Sequence, residues 1–460
     1  MSVSTSFLAV PDGMPTPFEV PFPAGSISFV QTSFVNPIEN AYTGQRIAYL
    51  INDPAQIIQG LDTGGQPTVL FINLPSDPAG TPLFIGTSDV FATVNASPVP
   101  ITIGDASPTY QDIISGTGGL TLDLAAPSGE LAVGGGTNAI YTQPLTTAQG
   151  TMVPQSWYFY FAGGSNTIDA TYGNDTVNTV AGTSLIVLGS GQDVVYSGGA
   201  DTIQAGIGDA SVAATVGDLV QGGAGALTFI GGSGASTVFG ADGSVSANGG
   251  NGSLTVFGGT GGGYFIGGSG GNSLLQAGAG AATLQGGASG DQLFSGPAGG
   301  DVLVGGPGNE TLAGAATAAH DILVGGTGNE TLVAGGGNAT IAGGTAGTEA
   351  IFTGPGNDLL FGGGASEYIQ ASAGQSLIFA GSGPEIFGFV AGQAGGSTVI
   401  EGFNPAIDQI SLQGYGAGAA QSVLASAGSA AGSTALVLPD ATRITLLGLS
   451  SLPASAIVSS

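Results

Sequence analysis

Short apolar runs alternate with glycine-rich stretches through the middle of the chain. From about residue 162 to 385 glycine recurs at nine-residue intervals, with an apolar residue seven positions after each glycine. The clearest glycines are Gly222, Gly231, Gly240, Gly249, Gly258 and Gly267, followed by Phe229, Val238, Ala247, Val256, Phe265 and Leu274. Glycine suits tight turns, and each strand contributes a core-facing side chain. The pattern therefore predicts a parallel β-roll with two nonapeptides, about 18 residues, in each coil.

The flanking segments have a different pattern. Before the repeats, short β-branched and aromatic runs lie between Gly, Pro, Asn and Asp clusters, which is typical of a β-sandwich. The predicted fold is therefore all-β. It comprises a β-sandwich-like module over 1–155, a Gly-rich nonapeptide-repeat β-roll (a β-solenoid) over 156–385, and a small C-terminal β cap over 386–460.

The charge of the chain is almost entirely negative. There are 30 Asp and Glu residues against Arg46 and Arg443, no lysine, and a net charge of −28. Phosphate contacts require Lys and Arg, so nucleic acid is excluded as a partner. No window is long and apolar enough for a transmembrane helix, so no membrane insertion is expected. With no cysteine in the chain, the acids and the fold must rely on metal ions, packing or assembly.

Several repeats carry an acid at a fixed place in the turn. Residues 354–361 read Gly-Pro-Gly-Asn-Asp-Leu-Leu-Phe and residues 172–177 read Tyr-Gly-Asn-Asp-Thr-Val. Residues 305–312 and 325–332 follow the same pattern with Glu in place of Asp. These repeats resemble the RTX, or haemolysin-type calcium-binding, family, whose motif is Gly-Gly-x-Gly-x-Asp-x-U-x, with U apolar. The resemblance covers about half of the chain.

The resemblance implies Ca²⁺ sites formed by turn carboxylates and turn carbonyls, since calcium takes six to eight oxygen ligands. The predicted metal ligands are Asp175, Asp193, Asp201, Asp209, Asp301, Glu310, Asp321, Glu330 and Asp358. Between 219 and 290 the only acid is Asp242, and the motif positions there hold Leu227, Ser236 and Asn272, so no calcium is expected in that stretch. The alternative is that the acids are solvated turn residues that maintain solubility.

The C-terminal segment also resembles this family. Residues 397–412 are similar to the module that follows RTX rolls in type I secretion substrates, and residues 445–449 with the small apolar ending are similar to their uncleaved export signal. The N-terminal residues make a poor secretory signal peptide. The resemblance therefore implies a type I secretion substrate that is secreted, extracellular or at the cell surface.

The residues that catalysis usually requires are scarce. His320 is the only histidine, and residues 267–271 match the Gly-x-Ser-x-Gly motif only as a Gly/Ser-rich array does by chance. We therefore expect no enzymatic activity. The resemblance to S-layer and adhesin-like members implies an exported self-assembling structural protein that forms a fibre, sheet or S-layer, with itself as partner. The alternatives are a monomeric adhesin that binds an envelope glycan, matrix polysaccharide or host surface through 1–155, and an extracellular polysaccharide-active enzyme on a β-helix.

Overall fold

The computed structural model describes residues 119–288, 290–317 and 320–460, together with strand segments within 28–115. The contacts between residues divide the chain into two compact units, 1–229 and 230–460. In the described part the structure is almost entirely β-strand, with one short α-helix, α1 (Ala419–Ala425), and a 3₁₀ turn (Ala454–Ala456).

The strands of the first unit are β1 (Ser28–Val35), β2 (Thr43–Ile51), β3 (Thr68–Ile72), β4 (Leu83–Ile85), β5 (Val90–Val94), β6 (Pro100–Ile103), β7 (Tyr110–Ser115), β8 (Leu120–Leu124), β9 (Ser128–Val133), β10 (Thr137–Thr142), β11 (Ser156–Phe161), β12 (Ser165–Tyr172), β13 (Thr176–Thr179), β14 (Thr183–Ser190), β15 (Gln192–Ser197), β16 (Thr202–Gln204), β17 (Asp209–Ala214), β18 (Leu219–Gln221) and β19 (Leu227–Ile230).

The strands of the second unit are β20 (Ser236–Phe239), β21 (Val245–Asn248), β22 (Leu254–Phe257), β23 (Gly263–Ile266), β24 (Leu274–Gln276), β25 (Ala282–Gln285), β26 (Gln292–Phe294), β27 (Val302–Val304), β28 (Thr311–Ala313), β29 (Asp321–Val324), β30 (Thr331–Val333), β31 (Ala339–Ala342), β32 (Thr348–Phe352), β33 (Asn357–Phe361), β34 (Ser366–Ala371), β35 (Gln375–Phe379), β36 (Glu385–Val390), β37 (Ser397–Glu401), β38 (Gln409–Gln413), β39 (Gly428–Ala430), β40 (Ser433–Val437), β41 (Arg443–Leu447) and β42 (Ile457–Ser459).

Each unit contains a parallel β-solenoid. Between β3 and β38, the odd-numbered strands of each unit form one sheet, called sheet A, and the even-numbered strands form the other, called sheet B. Strands two apart in sequence pair in parallel: Phe159 lies beside Val177, which lies beside Val195. One coil is therefore one strand of each sheet plus two turns, as the nonapeptide period predicts.

The core is a stack of apolar side chains, with one or two from each short repeat strand and up to three from a longer strand such as β8 or β11. Val177 and Leu303, for example, are 0% exposed, and burial alternates along the strands. Burying each such side chain stabilises the fold by roughly 1.5–3 kcal/mol. The turns stack just as closely, since a Cβ on Gly328 would lie 1.4 Å from the carbonyl oxygen of Gly308. Only glycine fits at such a position.

The predicted core residues are confirmed with one exception. Phe229, Val238, Ala247, Val256 and Phe265 are buried. The prediction that Leu274 faces the core is wrong, because Leu275 takes the core position and pairs with Val256. The preceding turn contains one more residue than the nine-residue period allows. Asn272 adopts a left-handed conformation there (φ 56°), which accommodates the extra residue and shifts the strand by one position.

Most of the described strands before residue 156 pair in parallel, and the predicted β-sandwich-like module over 1–155 stays a prediction. β3, β5, β7, β9 and β11 pair in parallel in sheet A, and β4, β6, β8 and β10 do so in sheet B. Antiparallel pairing among them is confined to β1 and β2. A strand whose apolar and polar residues alternate can stack in a solenoid coil as well as in a sandwich, even where the coil lacks the glycine repeat. The rest of 1–118 lies outside the described residues.

The C-terminal segment ends the second solenoid. Sheet A continues from β37 to β41, then turns antiparallel through β40 to β39, and sheet B ends with β42 beside β38. Arg443 lies in β41, with Ser397 on one side and Val437 on the other, and Arg46 lies in β2 opposite Thr32. Among the described residues, no helix is long and apolar enough to span a bilayer.

Candidate metal centre

Most acids of the solenoid point inwards. They stand two residues before the core side chain, as Asp358 does before Leu360, and because strand side chains alternate between faces both lie inside the coil. The buried acids are Asp175, Asp193, Asp201, Asp218, Asp291, Asp301, Glu310, Asp321, Glu330, Glu349, Asp358, Glu367, Glu385 and Asp408. These acids are therefore not the solvated turn residues that the alternative interpretation requires.

Parallel stacking arranges these acids in ladders, one residue per coil. In the second unit the starts of the sheet B strands carry an acid in seven consecutive coils, and Glu367 lies directly beside Glu349 and Glu385. We call this set the long ladder: Asp291, Glu310, Glu330, Glu349, Glu367, Glu385 and Asp408. Successive members are about 4.8 Å apart along the stack, which is the spacing of paired strands. A continuous row of buried acids results.

Shorter ladders occupy the other strand starts. In sheet A of the second unit the acids are Asp301, Asp321 and, beyond Ala339, Asp358. In the first unit Asp175 and Asp193 form a pair in sheet A, and Asp201 and Asp218 form a pair in sheet B. The 18-residue spacing of Asp175 and Asp193 thus places them on one edge, as predicted.

Asp358 and Asp301 are well supplied with hydrogen bonds. Oδ1 of Asp358 accepts from the N–H of Ala339 in the preceding coil (2.9 Å), and Oδ2 accepts from the N–H of Gly354 in its own turn (2.7 Å). Asp301 accepts in the same way from Ala282 and Gly296, each at 2.7 Å. Both carboxylate oxygens of these residues therefore have protein donors.

The glutamates of the long ladder are less well satisfied. Oε1 of Glu349 accepts from the N–H of Gly344 at 2.7 Å. The second oxygens of Glu330, Glu349, Glu367 and Glu385 are buried without a backbone or hydroxyl donor, as is Oδ2 of Asp175. The nearest polar groups of the glutamates are each other, since Glu349 lies within hydrogen-bonding reach of Glu330, and Glu385 within reach of Glu367. A buried carboxylate oxygen without a partner is costly, because it has lost water and gained nothing. These oxygens require a proton or a cation.

Burial and like charge raise the pKa of Glu349, Glu385 and Asp175. Burial, followed by the adjoining Glu330, raises the pKa of Glu349 to about 8. Burial, with Glu367 and Asp408 nearby, raises the pKa of Glu385 to about 8. In the first unit, burial and the charge of Asp193 raise the pKa of Asp175 to about 8. The sequence has only Arg46 and Arg443 against 30 acids and no lysine, so ion pairs within the chain are too few to neutralise the ladder.

The donor set of the long ladder fits a hard divalent cation. Paired carboxylates and the carbonyls of glycine turns are the oxygen ligands that calcium prefers. Within the described residues no three acidic, histidine or cysteine side chains converge on one point. Each ion would therefore take ligands from two neighbouring ladder members and complete its shell with turn carbonyls and water.

The structure brings together eight of the nine predicted ligands as ladder members. Asp209 is the exception: its side chain is exposed, its Oδ1 accepts from the N–H of Ala226, and Ala210 takes the inward position. In the central stretch Leu227 and Ser236 are inward, as expected, but Ser273 replaces Asn272. Sequence reasoning did not select six further ladder members, although an acid two positions before a core residue marks each: Asp218, Asp291, Glu349, Glu367, Glu385 and Asp408.

Comparison with known protein families agrees with this geometry. The model of the RTX calcium-binding nonapeptide repeat (4 copies) matches residues 162–195, 267–297, 287–317, 304–341 and 343–378. The last four segments contain most of the long ladder, and the first contains Asp175 and Asp193. No curated protein matches the chain significantly.

Proposed function

The chain belongs to the RTX family of calcium-binding nonapeptide repeat proteins, and from that premise we propose that it is an exported, self-assembling structural protein of the bacterial surface or matrix. Calcium is the cofactor of such repeats. Calcium would order the acid-bearing coils, and the uncharged outer surfaces of the solenoid would form the contacts of the assembly.

The observation that carries the calcium part is the set of unpaired carboxylate oxygens in the long ladder. With Glu330, Glu349, Glu367 and Glu385 ionised and no cation present, each coil would stack negative charge on negative charge in a buried environment. Bound calcium would neutralise this repulsion, and it would also be the partner that the unpaired carboxylate oxygens lack. Residues 310, 330, 349, 367 and 385 would hold it, together with Asp175 and Asp193 in the first unit.

This requirement links folding to location. A coil whose carboxylates lack counter-ions is unstable at neutral pH, and metal binding then contributes directly to the free energy of folding. The chain would remain extended where free calcium is scarce and fold where calcium is abundant. That behaviour suits type I export, which the C-terminal resemblance implies, because an unfolded chain can be passed through a channel.

Composition supports a structural role. Only 7% of the residues are charged and mean hydropathy is positive, at +0.37, so much of the surface is Gly, Ala, Ser, Thr and apolar side chains. Apolar side chains are exposed on the outer faces of both sheets, as Phe239 (41%) and Ile322 (43%) show. Extensive uncharged surface favours contact with other molecules.

Negative-stain electron microscopy of the purified full-length chain, with calcium and then with chelator, tests the proposal. Regular polymers that form with calcium and dissolve in chelator are the expected result. Polymers that ignore the chelator would contradict the calcium part. Dispersed single particles in both conditions would contradict assembly, and would favour the monomeric adhesin.

A further inference from the structure

The outer face of sheet A in the second unit differs from the rest of the surface. We call the outward side chains of β23, β25, β27, β29, β31, β33, β35 and β37 the apolar face. At its centre are Val302, Val304, Ile322 and Val324, and Leu359 and Leu377 continue the rows. No outward residue of these strands is charged before Glu401, although the chain carries a net charge of −28.

The opposite outer face, on sheet B, provides a comparison within the same coils. There Thr311 and Thr331 are neighbours, and Ile386 lies between Tyr368 and Gln409. On the apolar face, Ile322 lies between Val302 and Thr340. The outer face of sheet B in these coils also lacks charge, and one of its rows carries Phe294, Val333 and Phe352. The row beside it, which contains Thr311 and Thr331, is largely polar. Sheet A therefore has the denser rows of aliphatic side chains.

The apolar face is exposed and ordered. Ile322, Phe361 and Leu377 are 43%, 42% and 37% exposed, and the rings of Phe361 and Phe379 stack at 5.1 Å with an interplanar angle of 8°. Eight strands at about 4.8 Å spacing, each about 10–16 Å long, give a flat footprint of about 500 Å². That is the size of apolar patch that marks a contact surface, and it approaches the roughly 800 Å² per partner of a standard interface.

We propose that the apolar face binds the same face of a second copy of this chain, sheet against sheet. The inference rests on the proposed self-assembly and names its surface. A flat row of aliphatic side chains is complementary to an identical row, and two such sheets pack about 10 Å apart, as in a β-sandwich. A charged partner would gain nothing from a face without charge, whereas two copies can meet here without bringing acids together.

The end of the second solenoid favours this sideways contact. Sheet A ends in β39, a strand of three residues, after an antiparallel turn through β40. Sheet B ends in β42, also of three residues, with α1 close by. Short edge strands are poor templates for pairing with another chain. Pairing through strand edges is therefore disfavoured at this end, and the apolar face is the remaining surface for contact.

Two matched substitutions test the proposal in the full-length chain. Ile322→Lys places a charge on the apolar face, and Ile386→Lys places one on sheet B at nearly equal exposure, 43% against 41%. Both isoleucines directly follow a ladder acid, Asp321 or Glu385. In sedimentation velocity with calcium, Ile322→Lys should raise the concentration needed for association at least about tenfold, and Ile386→Lys should change it by less than about twofold.

Cross-linking gives an independent measurement, because the chain has no native cysteine. With a short bismaleimide, Ile322→Cys should yield covalent dimers and Ile386→Cys should not. Ile322→Thr keeps the β-branched shape, and its circular dichroism shows whether a loss of association comes from misfolding. Suppose that the wild type associates, the two Cys variants cross-link equally and both Lys variants associate normally. The assignment of the interface to the apolar face is then wrong, while the proposed self-assembly is unaffected. If the wild type never associates, the proposed function fails as well.

Discussion

The backbone N–H of Trp157 donates a hydrogen bond of 2.7 Å to Oδ1 of Asp175, one coil further along the chain. Trp157 is the only tryptophan, and its indole Nε1–H donates to the carbonyl of Ala126 inside the first unit. The residue that carries the single strong fluorophore of the protein is therefore hydrogen-bonded, through its backbone, to a candidate calcium ligand.

Calcium should consequently change the emission of Trp157. In the wild type we expect a saturable change of intensity or wavelength on calcium addition. Asp175→Asn should remove most of it, because an amide is a weaker calcium ligand than a carboxylate. Asp358→Asn, in the second unit, is the control and should leave the response intact. An unchanged titration in Asp175→Asn would show that calcium does not bind at Asp175.

Replacing one glutamate of the long ladder should stabilise the calcium-free protein. In Glu349→Gln the amide oxygen can still accept from Gly344, and the new NH₂ group can donate to the carboxylates of Glu330 and Glu367. We expect a gain of about 1.5 kcal/mol in unfolding free energy at pH 8 with chelator, and a smaller stabilisation by calcium. Urea denaturation measures both.

Glu401→Gln is the control for that variant, since Glu401 is exposed and outside the ladders. It should leave both the apo stability and the calcium response within about 0.5 kcal/mol of the wild type. Equal behaviour of the two variants would mean that ionisation of the long ladder does not affect folding.

The raised pKa values predict a pH dependence of the calcium-free protein. Burial and neighbouring acids raise the pKa of Glu349, Glu385 and Asp175 to about 8, so the folded state binds protons that the unfolded state releases near pH 4. Stability from these groups is fully present below pH 4 and is lost as pH rises towards 8. With chelator, Tm should therefore fall between pH 5 and pH 8.

Saturating calcium should reverse that trend, because the ion binds the ionised carboxylates and compensates for the lost protons. Differential scanning calorimetry in parallel buffers, with calcium and with chelator, gives both curves. A Tm that rises with pH in chelator would contradict the assignment of buried, proton-binding carboxyls.

Coil stacking depends on glycine at Gly328. Its Cβ in Gly328→Ala would meet the carbonyl oxygen of Gly308 at 1.4 Å, so neighbouring turns must separate. The cost should be about 3 kcal/mol or more, at the upper limit of ordinary overpacking. Gly395→Ala is the control, since nothing lies within 4 Å of the added carbon and the residue is exposed. Thermal unfolding of the two variants measures the difference.

Much of the fold follows from the nonapeptide period, because each repeat encodes one turn and one inward side chain. The exceptions are local. One extra residue in the turn at Asn272 moved Leu275 into the core in place of Leu274, and a period alone cannot show that shift. The coils before Trp157 lack glycine repeats, and alternating strands of this kind suit a sandwich as well as a solenoid.

The candidate site was predictable in type but not in extent. The motif at Asp358 identified the acidic turns, and Glu367 escaped selection because Ala365 replaces a glycine of the motif in its turn. Glu385 escaped although Gly381 and Gly383 have the same spacing before it as Gly354 and Gly356 have before Asp358. Asp209 was selected on residue type alone, and the strand register places it outside. Whether the second oxygen of a glutamate finds a hydrogen-bond donor depends on side-chain length within the stacked coil, and the sequence alone does not show this.

The placement of the two arginines has a consequence for proteolysis. An endopeptidase that cleaves after basic residues has only the bonds following Arg46 and Arg443 to attack in 460 residues. Arg443 lies in a strand paired on both sides, and Arg46 lies in a strand paired with its neighbours. Such proteases require a locally unfolded segment. The folded chain should therefore survive in trypsin-rich surroundings for as long as its coils stay closed.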